Sequence, residues 1–144
     1  MNRASSKDNG GPAIVPSLPG SGSILVMDDD PSILRVTEVM LEYLGYRVAT
    51  CTDGEEAIAT YKAASESGTP FTAVIMALTT RHGMGGKDAA ERILCLDPGA
   101  ELIISSRDPF EPVMTDHKRY GFRAALPKPY SLFDLKELLT SLAT

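Results

Sequence analysis

A chain of 144 residues, 43% of them hydrophobic and 23% charged, has room for one globular domain with a packed core and hardly for a second. Its formal net charge of -5, with no cluster of Lys or Arg, excludes a general nucleic-acid surface. No apolar run approaches the ~18 residues of a membrane span, and the first residues lack the apolar core of a signal peptide. We therefore expect no direct contact with nucleic acid or membrane.

Residues 1–22 are rich in Gly, Pro, Ser and Asn and carry few apolar side chains. A segment of this composition cannot bury enough apolar surface to become ordered. We expect it to be a flexible linker or a terminal tail, and we expect the folded domain to comprise residues 23–144.

The two cysteines, Cys51 and Cys95, lie far apart in apolar stretches and form no Cys-x-x-Cys pair. This usage is typical of buried thiols that stay reduced. It indicates an intracellular compartment, where disulfides are rare.

The stretch from Ser23 to Pro31 is an unbroken apolar run that ends in three carboxylates and a proline. A run without polar alternation is typical of a central parallel strand that is buried on both faces. Pro31 suits the first turn of a helix, where no backbone N–H is needed. Asp28, Asp29 and Asp30 repel one another unless a cation or a basic side chain lies among them. The sequence therefore predicts an acidic strand tip with a cation opposite it.

The rest of the chain alternates between short β-branched runs and apolar residues at helical spacing. Gly45 and Gly121 are predicted to end helices, and Asp53 and Ser131 to begin them as N-caps. A loop with three glycines is expected at residues 79–86. After the first strand, helices are predicted at 31–44, 54–67, 87–96, 110–120 and 131–142, and strands at 46–51, 72–76, 102–104 and 122–126.

Alternating strands and helices imply right-handed βαβ units and a parallel sheet between two layers of helices. For five units we expect an α/β fold of the flavodoxin-like (βα)5 type, a doubly wound parallel sheet with strand order 2-1-3-4-5. Functional residues should then gather at the carboxyl ends of the strands. The residues at or just after those ends are Asp28 and Asp29, Ala77, Ser105 and Ser106, and Lys128.

These residues and their spacing make the chain resemble a two-component receiver domain, the module whose aspartate takes a phosphoryl group from a histidine kinase. The resemblance covers Ile24 to about Leu142. It rests on Ile-Leu-Val-Met-Asp28-Asp29-Asp30-Pro, Leu-Gly-Tyr46, Asp53-Gly-Glu-Glu-Ala, Val-Ile-Met76, Gly-Met-Gly-Gly86, Ser105-Ser106 and Leu-Pro-Lys128-Pro. The Gly-Met-Gly-Gly86 loop and the segment Glu111-Pro-Val-Met114 look most like receivers at the C-terminus of hybrid sensor histidine kinases.

The resemblance implies a role for each matching position. Asp28 and Asp29 match the acidic pair that holds Mg²⁺, and the backbone carbonyl of Thr79 matches a further metal ligand. Ser106 matches the switch hydroxyl, and Lys128 matches the lysine that contacts the phosphoryl group. The periphery of a receiver site is therefore present in the sequence.

The position of the phosphoacceptor aspartate is taken by Ala77, whose methyl group can neither attack a phosphohistidine nor ligate a metal. Three further departures from the family pattern lie nearby: Arg81 replaces a usual proline, Arg107 a Gly or Ala, and Ala125 a frequent aromatic. We favour natural degeneration of the phosphorylation site. An engineered change at one position would leave the neighbouring positions with the residues that are usual in the family. The alternative is an otherwise functional phospho-accepting receiver with an engineered aspartate-to-alanine change at position 77.

The resemblance thus implies a pseudo-receiver of phosphorelay signal transduction, a regulatory or protein-interaction module without enzyme activity. Its partner would be a histidine kinase or another signalling protein, and its location the cytoplasm, with or without a tether to a membrane sensor kinase. No cofactor is required, and Mg²⁺ binding should be weak because one carboxylate is missing. The mixed charges expected on the face of the last two helices and last strand predict weak, salt-sensitive self-association at most.

Arg81 and Arg107 are candidate substitutes for the metal, since a guanidinium can bridge two carboxylates with paired hydrogen bonds. The hypothesis is that one of them occupies the ion site together with Lys128. The alternative is that both arginines point to solvent.

An enzyme is the competing interpretation from a different class. The pattern Asp28-x-Asp30-x-Ser32 matches the outline of the haloacid dehalogenase-like phosphatase motif, with Asp28 as nucleophile and Asp30 as acid. Such enzymes need a later acidic pair for Mg²⁺ at another strand end, and none follows the third or fourth predicted strand.

Overall fold

The computed structural model describes residues 22–142. Residues 1–21, which make up nearly all of the predicted linker or tail, lie outside the described part, as do residues 143–144. The strands are β1 Ser23–Met27, β2 Arg47–Cys51, β3 Ala73–Ala77, β4 Leu102–Ser106 and β5 Ala124–Pro127. The helices are α1 Pro31–Tyr43, α2 Gly54–Glu66, α3 Gly86–Leu96, α4 Pro112–Thr115 and α5 Leu132–Leu142.

The five strands form one parallel sheet in the order β2-β1-β3-β4-β5. This order confirms the predicted flavodoxin-like fold. In the register, Met27 pairs with Met76 and Ala77 pairs with Ser105. The carboxyl ends of β1, β3 and β4 therefore lie side by side at one edge of the sheet, which is where the functional residues were expected.

Apolar side chains of the central strands alternate between two cores, one on each face of the sheet. Leu25, Val74 and Ile104 belong to the core that packs against α2 and α3. Ile24 and Ile75 belong to the core on the side of α1 and α5. Complete burial of one such side chain contributes about 1.5–3 kcal/mol, so the central strands form a rigid platform for the loops that follow them.

Three helix starts have side-chain caps, of which those at Asp53 and Ser131 were predicted from the sequence. The Asp30 carboxylate accepts a hydrogen bond from the Ser32 amide, and the Asp53 carboxylate accepts one from the Glu56 amide, both at 2.9 Å. At α5, the Asp134 amide donates to the Ser131 hydroxyl at 3.1 Å, while the Asp134 carboxylate accepts from the Ser131 amide at 2.8 Å. This reciprocal arrangement at the start of α5 gives hydrogen-bond acceptors to the backbone N–H groups of both Ser131 and Asp134.

The predicted fourth helix, residues 110–120, is wrong in length. The α-helix covers only Pro112–Thr115, and a separate 3-10 helix follows at His117–Tyr120. Glu111 is extended because the residue before a proline avoids helical geometry. Asp116 breaks the helix between its two parts with φ -128 and ψ 48.

Strand boundaries differ from the expectation by two residues at two places, and by no more than one residue elsewhere. Strand β4 continues to Ser106, two residues beyond its predicted end, because Ser105 and Ser106 pair with Leu126 and Pro127. Strand β5 begins only at Ala124, since the buried Phe122 precedes the sheet pairing. The expectation that both cysteines are buried is wrong for Cys95, which is exposed, whereas Cys51 is buried.

One face of α1 carries apolar side chains that no other described element covers. Val36 is 55% exposed, Val39 is 58% exposed and Tyr43 is 78% exposed. Their spacing of three and four residues places them along one stripe of the helix. None of the helices in the described range combines the length and the apolar character needed to cross a bilayer.

Candidate functional site

A pocket of about 430 Å³ opens at the carboxyl edge of the sheet, between the loops that follow β1, β3, β4 and β5. It is lined by the predicted site residues other than Ala77: Asp28, Asp29, Thr79, Arg81, Ser106, Arg107 and Lys128. The structure thus brings together side chains that are far apart in sequence. Its polar lining follows from the parallel sheet, which delivers every strand end to the same edge.

Asp28 and Lys128 form the central contact of this pocket. The Lys128 ammonium lies 2.6 Å from Asp28 Oδ2, and the two side chains are only 12% and 5% exposed. The other oxygen, Asp28 Oδ1, accepts a hydrogen bond from the Asp30 amide at 2.9 Å. Because both carboxylate oxygens have a partner, burial of this charge is compensated.

The other two carboxylates of the strand tip are held by backbone groups. Asp29 Oδ2 accepts a hydrogen bond from the Arg81 amide at 2.6 Å, which joins the loop after β1 to the loop after β3. Asp30 caps α1 through the Ser32 amide. Asp30 therefore has a structural role at the position where the phosphatase interpretation needs a general acid.

Both arginines lie at the rim of the pocket. The Arg81 Nε lies 3.9 Å from Asp29 Oδ2, and its side chain is 78% exposed. The Arg107 Nη2 lies 3.6 Å from Asp30 Oδ2, and its side chain is 75% exposed. Exposed pairs at these distances contribute about 0–1 kcal/mol, so the short cation contact inside the pocket comes from Lys128.

Ala77 is the last residue of β3, and it is 2% exposed. The first turn of α3 approaches it closely: a Cβ added at Gly86 would lie 2.5 Å from the Ala77 carbonyl oxygen. Only a glycine allows α3 to begin here. Ala77 is therefore buried at the end of β3, next to the strand tips that border the pocket, and its methyl group offers no nucleophile.

The donors present do not fit the Mg²⁺ ion that the resemblance implies. Mg²⁺ requires nearly octahedral oxygen coordination, yet Asp28 is already engaged by Lys128 and a backbone amide. Asp29 also accepts a backbone hydrogen bond, and Ala77 supplies no oxygen from its side chain. Within residues 22–142, no group of three or more His, Cys, Asp or Glu side chains could hold a metal ion.

The two serines at the end of β4 have different environments. The Ser105 hydroxyl is buried and donates to the Leu126 carbonyl at 2.7 Å, which fixes β4 to β5. The Ser106 hydroxyl is half-buried, lines the pocket and accepts a hydrogen bond from the Asp108 amide at 3.1 Å. Both serines line the pocket, but the Ser105 hydroxyl is committed to the contact with β5, whereas the Ser106 hydroxyl is half-buried.

A second groove, of about 510 Å³, adjoins the pocket and was not predicted from the sequence. It lies between α1 and the segment after β5, where the Thr37 and Tyr130 hydroxyls are 2.7 Å apart. Burial raises the pKa of Tyr130. The signal that could have revealed the groove is α1 itself, whose apolar residues exceed what one buried face requires.

Comparisons with known proteins agree with this geometry. The family model of the response regulator receiver domain matches residues 24–140. The chain is 24% identical over 121 residues to the chemotaxis protein CheY of Thermotoga maritima, covering 83% of this chain and 96% of that protein. It is 49% identical over 39 residues to a protein named "Probable transcriptional regulator ycf27" from Cyanophora paradoxa. That match covers 27% of this chain but only 16% of the regulator's length.

Two solved structures show the similarity of fold. One is a chain of the CheX–CheY complex with BeF3 and magnesium from Borrelia burgdorferi, with a TM-score of 0.78, 22% identity and coverage of 85% of this chain and 90% of that one. The other is the receiver domain of the sensor histidine kinase PA1611 from Pseudomonas aeruginosa PAO1, with a TM-score of 0.74, 23% identity and coverage of 86% and 100%. In the PA1611 receiver a magnesium ion is coordinated in the active-site cleft. The family match over residues 24–140 and the five-stranded fold lead to one conclusion: this chain belongs to the response regulator receiver domains of two-component signalling.

Proposed function

We propose that this receiver domain is a pseudo-receiver, a domain that binds a signalling partner without accepting a phosphoryl group. The observation that carries the proposal is the end of β3, where the buried Ala77 lies among the strand tips of an otherwise complete polar pocket. Phosphoryl transfer to a receiver needs a nucleophilic oxygen at that place, and a methyl group has none. The proposed role is therefore interaction and regulation, not enzymatic turnover.

The partner in this proposal is a histidine kinase or another signalling protein. The apolar stripe Val36, Val39 and Tyr43 of α1 supports a protein contact, because exposed apolar side chains grouped on one face commonly mark interaction sites. The groove beside the stripe continues into the pocket, since Ile33, Arg107 and Lys128 line both. A partner helix bound on this face would therefore lie close to residues that also line the pocket, so its binding would depend on the conformation of the pocket loops.

The proposed context is the C-terminal receiver of a hybrid sensor histidine kinase, located in the cytoplasm alone or tethered through that kinase. The loop Gly-Met-Gly-Gly86 and the segment Glu111–Met114, which resemble hybrid-kinase receivers, support it. No cofactor is needed for such a role.

The first experiment tests phosphoryl acceptance. The purified chain is incubated with acetyl phosphate and Mg²⁺, and the intact mass is measured. We expect the parent chain to stay unmodified and the Ala77→Asp variant to gain one phosphoryl group, with Ala77→Asn as the control that cannot form an acyl phosphate. A stable phosphoryl label on the parent, mapped to the pocket, would contradict the proposal.

The second experiment tests docking. Binding to a histidine kinase core is measured by calorimetry for the parent, for Val39→Asp in the α1 stripe, and for Ala59→Asp on the exposed face of α2 as the matched control. We expect Val39→Asp to weaken binding at least about tenfold, since a charge would be placed in an apolar contact, and Ala59→Asp to leave it unchanged. Equal binding by all three proteins would exclude this face as the docking surface.

A further inference from the structure

The loops around the pocket are joined by internal contacts that meet at the acidic tip of β1. We propose that Lys128 is the resident counter-cation of this tip, so that the domain holds its pocket loops in one conformation without a divalent metal ion. Only the consequence of this inference, that the domain presents a fixed docking surface, rests on the proposed function. Its evidence is the set of contacts made by Asp28, Asp29 and Lys128.

The first step concerns Asp28. A carboxylate on a side chain that is only 5% exposed must be neutralised and hydrogen-bonded, or its burial destabilises the fold by several kcal/mol. Lys128 Nζ at 2.6 Å from Oδ2 supplies the charge, and the Asp30 amide at 2.9 Å from Oδ1 supplies the second hydrogen bond. The tip of β1 is thereby tied to the end of β5 with no further ligand.

The second step concerns the loop after β3. Its link to the strand tip is the backbone N–H of Arg81, which donates to Asp29 Oδ2 at 2.6 Å. This contact does not depend on the guanidinium, whose own distance to Asp29 is 3.9 Å. The contribution of Arg81 is therefore made by its backbone, and any residue with an amide N–H can replace it.

The third step concerns competition for Asp28. Ala77, at the end of the neighbouring strand β3, offers no carboxylate that could compete for Lys128, so the ammonium remains on Asp28. A Mg²⁺ ion would have to displace that ammonium from Asp28, and Ala77 adds no third carboxylate to the pair of Asp28 and Asp29. Lys128 and Mg²⁺ thus exclude each other, and the ammonium holds the site.

The test measures the melting temperature with and without millimolar MgCl2, at constant ionic strength, because a ligand that binds the folded state raises stability. We expect no shift for the parent chain. Lys128→Met should melt lower without Mg²⁺ and should gain a Mg²⁺-dependent rise of about 3 °C or more, since Asp28 and Asp29 are then available to the ion. Arg81→Ala is the matched control, and it should behave like the parent.

A clear Mg²⁺-dependent rise in the parent would overturn the inference, and so would a Lys128→Met variant that is as stable as the parent and does not respond to Mg²⁺. If Lys128→Met does not fold, calorimetric titration of MgCl2 into the parent and into Lys128→Arg decides. No saturable binding by either supports a resident cation, and saturable binding by the parent refutes it. Phosphoryl label in the acetyl phosphate experiment would defeat the proposed function but leave this inference intact.

Discussion

The buried pair of Asp28 and Lys128 allows a quantitative prediction from a double-mutant cycle with Asp28→Asn and Lys128→Met. Coulomb's law with an effective dielectric constant of about 20 gives about 6 kcal/mol for unit charges 2.6 Å apart. Desolvation of both groups offsets part of this attraction, and loss of one partner of a buried pair costs about 3–5 kcal/mol. Lys128→Met leaves Asp28 buried and uncompensated, so we expect a loss of about 3 kcal/mol.

Asp28→Asn should cost less, about 2 kcal/mol, because the long Lys128 side chain is 12% exposed and can turn toward solvent. The double variant leaves no buried charge, so we expect it to lose only about 2 kcal/mol, against about 5 for simple addition. The assay is urea unfolding followed by circular dichroism, in buffer without divalent ions. A double variant whose loss equals the sum of the single losses within about 0.5 kcal/mol would show that the pair is not coupled and would refute the reasoning.

Three further predictions follow from other parts of the structure. Cys95 is exposed and should react with Ellman's reagent in the native protein at pH 8. Cys51 should react only after denaturation, because it is buried and burial raises the pKa of its thiol to about 12. Rapid reaction of both thiols in the native protein would contradict this prediction. The same raised pKa means that the stabilisation by the neutral thiol is present below pH ~8.5 and is lost as the pH rises toward the folded-state pKa. Gly86→Ala should reduce the free energy of unfolding by about 2–3 kcal/mol, since its Cβ would meet the Ala77 carbonyl oxygen at 2.5 Å. Gly99→Ala, whose nearest contact would be at 3.5 Å, should change that free energy by less than about 1 kcal/mol. Similar losses for the two variants in urea unfolding would refute the steric argument. Sedimentation should show at most weak, salt-sensitive self-association through the face that carries Lys118, Arg119, Arg123, Asp134, Lys136 and Glu137, and a tight dimer unaffected by salt would contradict that expectation.

Sequence reasoning succeeds where the determinants are local or periodic. The caps Asp30, Asp53 and Ser131 lie within three residues of the amides they serve, so their roles can be recognised from spacing alone. The strand order follows from the alternation of strands and helices. That order then places Ala77 next to the tip of β1 before any coordinate is known.

The failures all depend on tertiary packing. The break at Asp116 ends a short helix whose Val113 and Met114 pack in the core. The local sequence pattern does not predict this break. Cys95 lies in a run of four apolar residues at the C-terminal end of α3, and periodicity cannot tell which of them faces outward. For the acidic tip, the sequence left Lys128, Arg81 and Arg107 as candidate cations. The choice for Asp28 depends on side-chain position: Lys128 is 12% exposed and lies 2.6 Å from Asp28 Oδ2, whereas both arginines lie exposed at the rim.

The contact between Asp28 and Lys128 also bears on the kinetics of folding, because it joins residues 100 positions apart. Strands β3 and β4 lie between β1 and β5 in the sheet, so the pair can close only after those strands are in place. Contacts of such high sequence separation carry a large loop-closure cost and are expected to be absent from the transition state. Lys128→Met should therefore accelerate unfolding and leave the refolding rate nearly unchanged in a stopped-flow chevron. A slower refolding limb with an unaltered unfolding limb would mean that the pair belongs to the nucleus. With the expected result, the ion pair slows unfolding and so sets the lifetime of the native domain, without affecting how fast the domain folds.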